Sequence, residues 1–385
     1  MKKNFLILVF SIIILSIIFF VFEKFTYTNN EVKAKVIYVN NEDVIQAGLN
    51  KIGSQSLRVE LLSGENKNKK VKVINHLYGK LEFDNYYKIN DIIIVGLNFK
   101  DSDFKDSIAI DLYRQKQEFI LFSLFIVILL LYAKIIGLKA IFSFAMSLLV
   151  IWKILIPGLL NNMNPLILTS FVIIFLTGII VFCVAGFSKK GFSAFLGTIF
   201  GLFTSIFVTL YFGEKMRLFG MTAPFAQALL HNGYLHLNMK YIFYSAVILG
   251  ASGAAMDIAM DVSASMEEIK LKKPSITTSE LIESGFNIGK SVIGTMTTTL
   301  LLAYSGGYLT LIMLFMSKES SLARILNMKI VCAEIVRIVV GSIGLVLVAP
   351  FSAFFAGFIL CNEFKIQKYF NKLNFLNVFN FRTKN

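Results

Sequence analysis

The sequence predicts an α-helical polytopic membrane protein that carries one small β-rich domain outside the bilayer. Three observations predict it. Of the 385 residues, 56% are hydrophobic and the mean hydropathy is +0.69, more apolar than a soluble core requires. Apolar runs long enough to cross a membrane recur through most of the chain. Residues 31–116 lack such runs and alternate instead with the period of half-buried strands.

The first element is Lys2-Lys3 followed by an apolar run over 5–22. At about 18 residues it exceeds the 7–15 of a signal-peptide core, and no small-x-small cleavage site follows. It reads as a retained span within an anchor at 1–30. Val32-Lys33-Ala34-Lys35-Val36 and Leu57-Arg58-Val59-Glu60-Leu61 then alternate strictly, and Val71–Ile74 and Ile92–Val95 are further strand candidates. The polar stretch 63–69 between two of them is a hairpin loop. Four or five short strands make a small β-barrel or sandwich, with an OB-like barrel as one form it can take. Its acids and bases nearly balance, and it holds no His/Asp/Glu constellation for catalysis or metal. A structural or partner-binding cap is the expectation.

Apolar runs place further spans near 119–133, 140–156, 166–185, 192–212, 241–260, 292–316 and 330–349. These form a seven-helix bundle over 117–362, eight spans with the first, followed by a basic tail at 363–385. Lys2-Lys3, Lys134, Lys139, Lys189-Lys190, Lys270, Lys272, Lys273 and tail residues Lys365, Lys368 and Lys372 fall on one side of that topology. The opposite loop 157–164 has no Lys or Arg. The positive-inside rule therefore puts both termini in the cytoplasm and the β-rich domain outside. After the cytoplasmic loop, Thr278-Ser279-Glu280 starts a new helix with a polar cap. No internal repeat is visible.

The net charge of +14 does not indicate nucleic acid, because the basic residues are dispersed over loops and tail rather than gathered in an aromatic-laced stripe. Cys183, Cys332 and Cys361 all lie in apolar stretches, which excludes a disulfide framework and argues against a zinc site. His231 and His236, five apart in an outer loop, lack acids at ligand spacing. No cofactor is implied.

The chemistry gathers in four places. Asp257 and Asp261 sit four residues apart near one end of an apolar helix, about 40° apart on one face, with Glu268 continuing the stripe. A carboxylate at a bilayer centre costs about 2.5–3.5 kcal/mol, so it has a partner or a task. Gly250 and Gly253 admit a close neighbour upstream. Met256 and Met260 stack at i,i+4 and are core filler rather than a soft-metal site. In the next helix, Gly289-Lys290-Ser291 resembles the end of a phosphate-binding loop, but Ser284 stands where its first glycine belongs and no strand precedes it, which rejects ATP. Thr295-Met296-Thr297-Thr298-Thr299 crowds hydroxyls at the depth of Asp257; bonding back to helix carbonyls is the plain account, lining a polar path the functional one. Ser305-Gly306-Gly307-Tyr308 weakens that helix further along. In the last span Glu334 and Arg337 are neighbours at i,i+3 and pair, nearer the outer surface, while Gly341 and Gly344 form a contact face.

Met256–Met260, Asn287–Lys290 through Gly294–Met296 and Leu300–Tyr304, and Ala333–Arg337 with Gly341–Leu347 resemble the YibE/F-like family of bacterial multi-span membrane proteins, over about 119–356. The resemblance implies a polytopic plasma-membrane protein with an extracytoplasmic β-rich segment and supplies no established activity. The family pattern has a small polar residue at the position of Asp261 and an asparagine at that of Thr298, which favours Asp257 as the functional acid.

These observations point to a transporter or channel for an ion or small polar solute, not an enzyme. Its inner station would be Asp257 with Thr295, Thr298 and Thr299, Asp261 lying at the boundary, and Glu334 and Arg337 would form an outer gate or latch. The alternative is a non-transporting membrane scaffold whose β-domain binds an envelope protein partner. An intramembrane hydrolase is weakest, since the two acids share one helix and no G-x-S-x-G or H-E-x-x-H motif is present.

Overall fold

The computed structural model describes residues 30–98, 104, 107–317 and 321–361. The expected first span over 5–22 and the tail 363–385 lie outside the described residues. Two compact units divide at Gly137/Leu138.

In the first unit six strands form one sheet: β1 (Glu31–Asn40), β2 (Val44–Ala47), β3 (Asn50–Leu61), β4 (Lys70–Tyr78), β5 (Ile92–Gly96) and β6 (Ser107–Leu112). The four sequence-marked stretches lie in β1, β3, β4 and β5. The short strands β2 and β6 were not foreseen. The order β1-β5-β6-β4-β3, with β1 also pairing β3, closes the sheet into a barrel, and β2 extends β3 as a hairpin. All of these pairings are antiparallel except β4 with β6. Alternation does the folding: Ala34, Val36, Val59, Leu61, Val73 and Ile93 point inward and are fully buried, while their neighbours face out. Gly53, at φ +114°, is required by the hairpin, because a Cβ there would collide with the Asp43 carbonyl.

A polar network crosses the barrel interior. Buried Gln55 accepts a hydrogen bond from the Tyr87 amide (2.9 Å) and donates one to the Tyr87 carbonyl (3.2 Å). Asn75 donates to Gln55 (3.0 Å) and to the Asn85 carbonyl (2.6 Å). The β4–β5 connection is thereby pinned to the barrel wall. Burial pushes the Tyr87 phenol up to about 12, with the nearby Asp111 carboxylate adding to the effect.

The α-helices among the described residues are α1 (Gln115–Val150), α2 (Ile156–Leu160), α3 (Pro165–Ala185), α4 (Lys189–Lys215), α5 (Ala226–His231), α6 (Met239–Lys272), α7 (Thr278–Gly307), α8 (Leu309–Ser317), α9 (Leu322–Leu326) and α10 (Lys329–Cys361). Five stretches among the described residues are long and apolar enough to cross a membrane: Gln115–Leu160, α3, α4, α6 and α10. A sixth counts if the α7–α8 pair, bent by 65°, is one span. Where the sequence reading expected two spans with a loop between them, α1 is two helical legs that meet at a kink at Lys134 (φ +49°, ψ −119°), and the second leg runs on through one π-turn (Ile151–Leu155) to Leu160. The legs meet without a longer loop because 134–139 holds no proline and Lys134 alone leaves helical geometry.

In the second unit α4, α6, α7 and α10 alternate in direction. The α4–α10 crossing is built from small residues, Gly197 against Ser352, Gly201 against Val348 and Ser205 against Gly344, so the two backbones approach closely. On the other face of α10, Gly285 meets Ala353 and Gly289 meets Ala349, which seats α7. Lys190 pairs with Glu267 (2.7 Å) at one end of the α4–α6 contact, and Lys240 with Glu214 (2.5 Å) at the other.

Candidate functional site

Helix α6 begins at Asn238, whose side chain accepts from the Tyr241 amide at 3.2 Å. Its inner face, with Val247, Ile248, Ala251, Ala255, Ile258, Ala259, Val262 and Met266, is buried against the other helices. The opposite face is a single exposed stripe at helical spacing: Ala246, Gly250, Gly253, Asp257, Asp261 and Glu268. Among the described residues neither Asp257 nor Asp261 has a hydrogen-bond or ion-pair partner. A Cβ on Gly253 would meet nothing within 4 Å. The two acids therefore share one face, as their spacing requires, and among the described residues both are exposed on it.

The neighbouring helix is set by its cap. Thr277 accepts from the Glu280 amide (3.3 Å), and the Glu280 carboxylate accepts from the Thr277 amide (3.0 Å), a reciprocal capping box where the polar restart was expected. Two contacts then fix an antiparallel register. A Cβ on Gly285 would lie 2.5 Å from the Met266 sulfur, and one on Gly250 would lie 2.9 Å from the Tyr304 hydroxyl. That register brings Asp257 level with Gly294–Thr297 and Asp261 level with Lys290–Ile293. Thr295 and Thr297 thus stand level with the deeper acid, and Thr298 and Thr299 lie just beyond it along the helix.

The hydroxyls are spoken for on their donor side. Thr295 donates to the Val292 carbonyl (3.0 Å), Thr298 to Gly294 (3.3 Å) and Thr299 to Thr295 (3.0 Å). The plain account of this cluster is thus realised, and what Thr295, Thr298 and Thr299 still offer at the exposed surface is oxygen lone pairs. Thr297 differs: its Oγ1 is buried without a partner beside an open apolar groove between α7 and α10, lined by Leu301, Ile338 and Ile343 among others.

At the other end of the helices Glu334 and Arg337 do meet. Arg337 Nη1 lies 3.2 Å from Glu334 Oε1, their side chains being 19% and 12% exposed respectively. Arg337 Nη1 also donates to the Tyr308 hydroxyl at 3.1 Å, and its guanidinium stacks 5.7 Å from the centre of the Phe243 ring. Tyr308 sits where α7 ends and α8 turns away, so the bend at Gly306–Tyr308 is held by this cluster. The sequence marked the weak point in α7 but not Tyr308 as a ligand of Arg337; a tyrosine directly after Gly-Gly was the one available signal. Phe243 and Asp257 are fourteen residues apart on α6, so the two charged stations are separated by about 21 Å along the helix.

Among the described residues no three His, Cys, Asp or Glu side chains stand close enough to hold a metal ion. His236 instead contacts the Leu160 carbonyl through Nε2 at 3.2 Å.

Two family models match this chain. The YibE/F-like protein model covers residues 121–362, and the YibE/F family N-terminal domain model covers residues 25–111. No curated protein and no solved structure matches it.

Proposed function

The chain belongs to the YibE/F-like family, and from that premise we propose that it is a transporter or channel for an ion or small polar solute. It works in the bacterial plasma membrane with both termini in the cytoplasm. The observation that carries the reading is Asp257, a carboxylate on a long apolar helix with no partner among the described residues. Such a group is stable in a membrane only beside water, a counter-charge or a passing solute. Gly253 leaves the stripe open beside it while the Tyr304 hydroxyl stands against Gly250, and Thr295 offers an acceptor oxygen at its level with Thr298 just beyond. A cation or a proton is what this donor set suits; an anion would meet two carboxylates.

The topology proposed from the charge pattern is compatible with the long helical stretch. A straight helix over its 46 residues would be about 69 Å long, more than twice the apolar thickness of a bilayer. Two legs hinged at Lys134 return the chain to eight spans and keep Lys134 and Lys139 on the cytoplasmic side. The barrel then lies outside, its strand order that of an OB-like barrel. Glu334, Arg337 and Tyr308 form the outer latch.

The test is flux in proteoliposomes, with a pH-sensitive dye for protons and matched gradients of sodium, potassium and magnesium ions. Asp257→Asn keeps shape and some hydrogen bonding while removing the charge. It is expected to insert and purify normally and to abolish the flux that the parent shows, while Asp261→Asn retains part of it. Parent-like flux from Asp257→Asn would end the inner-station idea.

A further inference from the structure

The barrel has two unlike ends. One is the β3–β4 loop, Ser63–Lys69, which is polar throughout. The other gathers apolar side chains in the open. Ile45 pairs across to Ile52 and Ile52 to Tyr78, giving a row over three strands, with Leu49 at the β2–β3 tip and Leu81 and Phe83 in the connection after β4. Leu49 is 89% exposed, Leu81 69% and Phe83 57%. Isolated exposed apolar residues are ordinary, but six clustered at one end of a small barrel mark a contact surface.

Strand topology says where that end lies. β4 and β6 run parallel, Val73 opposite Ser107 and Ile74 opposite Ile108, so Tyr78 and Leu112 finish at the same end. From Leu112 the chain enters α1 at Gln115, only a few residues later. Arg114 clamps the two together. Its Nη1 donates to Asp111 (2.6 Å) and its Nη2 to Asn85 Oδ1 (2.9 Å), and Asn85 donates in turn to Asp111 (2.9 Å). With the Gln55–Asn75–Tyr87 network, this holds the Leu81–Phe83 segment in place beside the start of α1. The apolar run of α1 begins at Phe119, about 6 Å of helix beyond Gln115.

We propose that this end of the barrel is a bilayer-docking surface: Leu49, Leu81, Phe83 and the Ile45–Ile52–Tyr78 row seat in the interfacial layer of the membrane that α1 enters. The inference rests on the membrane reading given above. Its occupant is lipid rather than protein because the surface is continuous with the apolar helix and is fixed within a turn or two of it. Tyrosine is a residue of the membrane interface, and phenylalanine and leucine are the side chains that interfacial segments bury beneath it. Exposed Lys80 and Lys88, with Lys51 stacked 3.1 Å over the Tyr86 ring, stand at its rim where anionic headgroups would lie. Exposed Glu82 is the opposing charge, while Asp84 and Asp91 are engaged in capping the Lys80 and Lys88 amides.

Full-length protein with Cys183, Cys332 and Cys361 replaced by serine tests this. Single cysteines at Leu49, Phe83, Asn66 and Phe125, the last on α1, are labelled with an environment-sensitive fluorophore. The proteins are reconstituted in vesicles of phosphatidylethanolamine and phosphatidylglycerol doped with nitroxide-labelled lipid, and iodide is supplied on both sides. Probes at Leu49, Phe83 and Phe125 should lose emission to the nitroxide lipid and resist iodide, and the probe at Asn66 should do the reverse. Lipid quenching at Phe125 with iodide quenching at Leu49 and Phe83 would overturn the docking surface and leave the membrane reading intact. Shielding of Leu49 and Phe83 from both quenchers would assign the face to protein and overturn it equally. No lipid quenching at Phe125 would remove the membrane reading and the docking surface together.

Discussion

Replacing Arg337 by methionine strands the Glu334 carboxylate, and the structure sets the size of the effect. Removing one partner of a fully buried ion pair costs about 3–5 kcal/mol. Here the contact is a single Nη1 approach at 3.2 Å rather than a bidentate fork, and the side chains keep 19% and 12% exposure, which lowers that to about 2–3 kcal/mol. The lost bond to the Tyr308 hydroxyl, 3.1 Å in the parent, adds about 1 kcal/mol. Glu334→Gln is milder, at about 1–2 kcal/mol, because Arg337 keeps Tyr308 and the Phe243 ring. The double change Glu334→Gln with Arg337→Met leaves no unpaired charge, and it should fall short of the summed single losses by about 2 kcal/mol. Unfolding of the four proteins by denaturant in mixed micelles reads these differences, a 2 kcal/mol coupling being about a 30-fold change in the equilibrium. Additive single losses would refute the reasoning and mean that Glu334 and Arg337 are close without being coupled.

Three further outcomes are expected. A cysteine at Asn66 should react with an impermeant thiol reagent in intact cells and one at Ser279 should not; the opposite pattern would invert the proposed orientation. Tyr87, pushed up to about 12 from 10.0, contributes stability that is present below pH 10 and is lost as pH rises from 10 toward 12, by about 3 kcal/mol at the limit. Tyr87→Phe should flatten the barrel's unfolding profile over that window relative to the parent, and an unchanged profile would mean the phenol is not the group responsible. Gly201→Ala places a Cβ 3.0 Å from Val348 Cα at the α4–α10 crossing and should destabilise by about 1–3 kcal/mol. Gly253→Ala enters open space and should be neutral or stabilising by up to about 1 kcal/mol, so a loss there would show that another element covers the Asp257 face.

Periodicity and short-range spacing carried much of this protein without its structure. Strict alternation marked β1, β3, β4 and β5, because a half-buried strand has to bury every second side chain. Long apolar runs marked the helices. The four-residue spacing of Asp257 and Asp261 and the three-residue spacing of Glu334 and Arg337 dictated who shares a face, since helix geometry alone decides that.

What the sequence could not decide is which face meets which neighbour. β2 has only four residues, and β6 buries Ser107 while exposing Ile108 and Ile110, so only pairing with β3, β4 and β5 makes them strands. Nothing local distinguishes a loop at 134–139 from a one-residue kink between two helical legs. Tyr308 reaches Arg337 across 29 positions, and the parallel pairing of β4 with β6 puts the apolar tip of the barrel beside α1; both are contacts between segments far apart in sequence. The exposed position of Asp257 is likewise a product of packing. Spacing put the two acids on one stripe, and the fit of Gly197, Gly201, Gly285 and Gly289 against their partners drew α4 and α7 onto α10 while, among the described residues, the two acids stayed exposed. A residue's period follows from its own helix or strand, whereas its surroundings follow from how closely other backbones can approach.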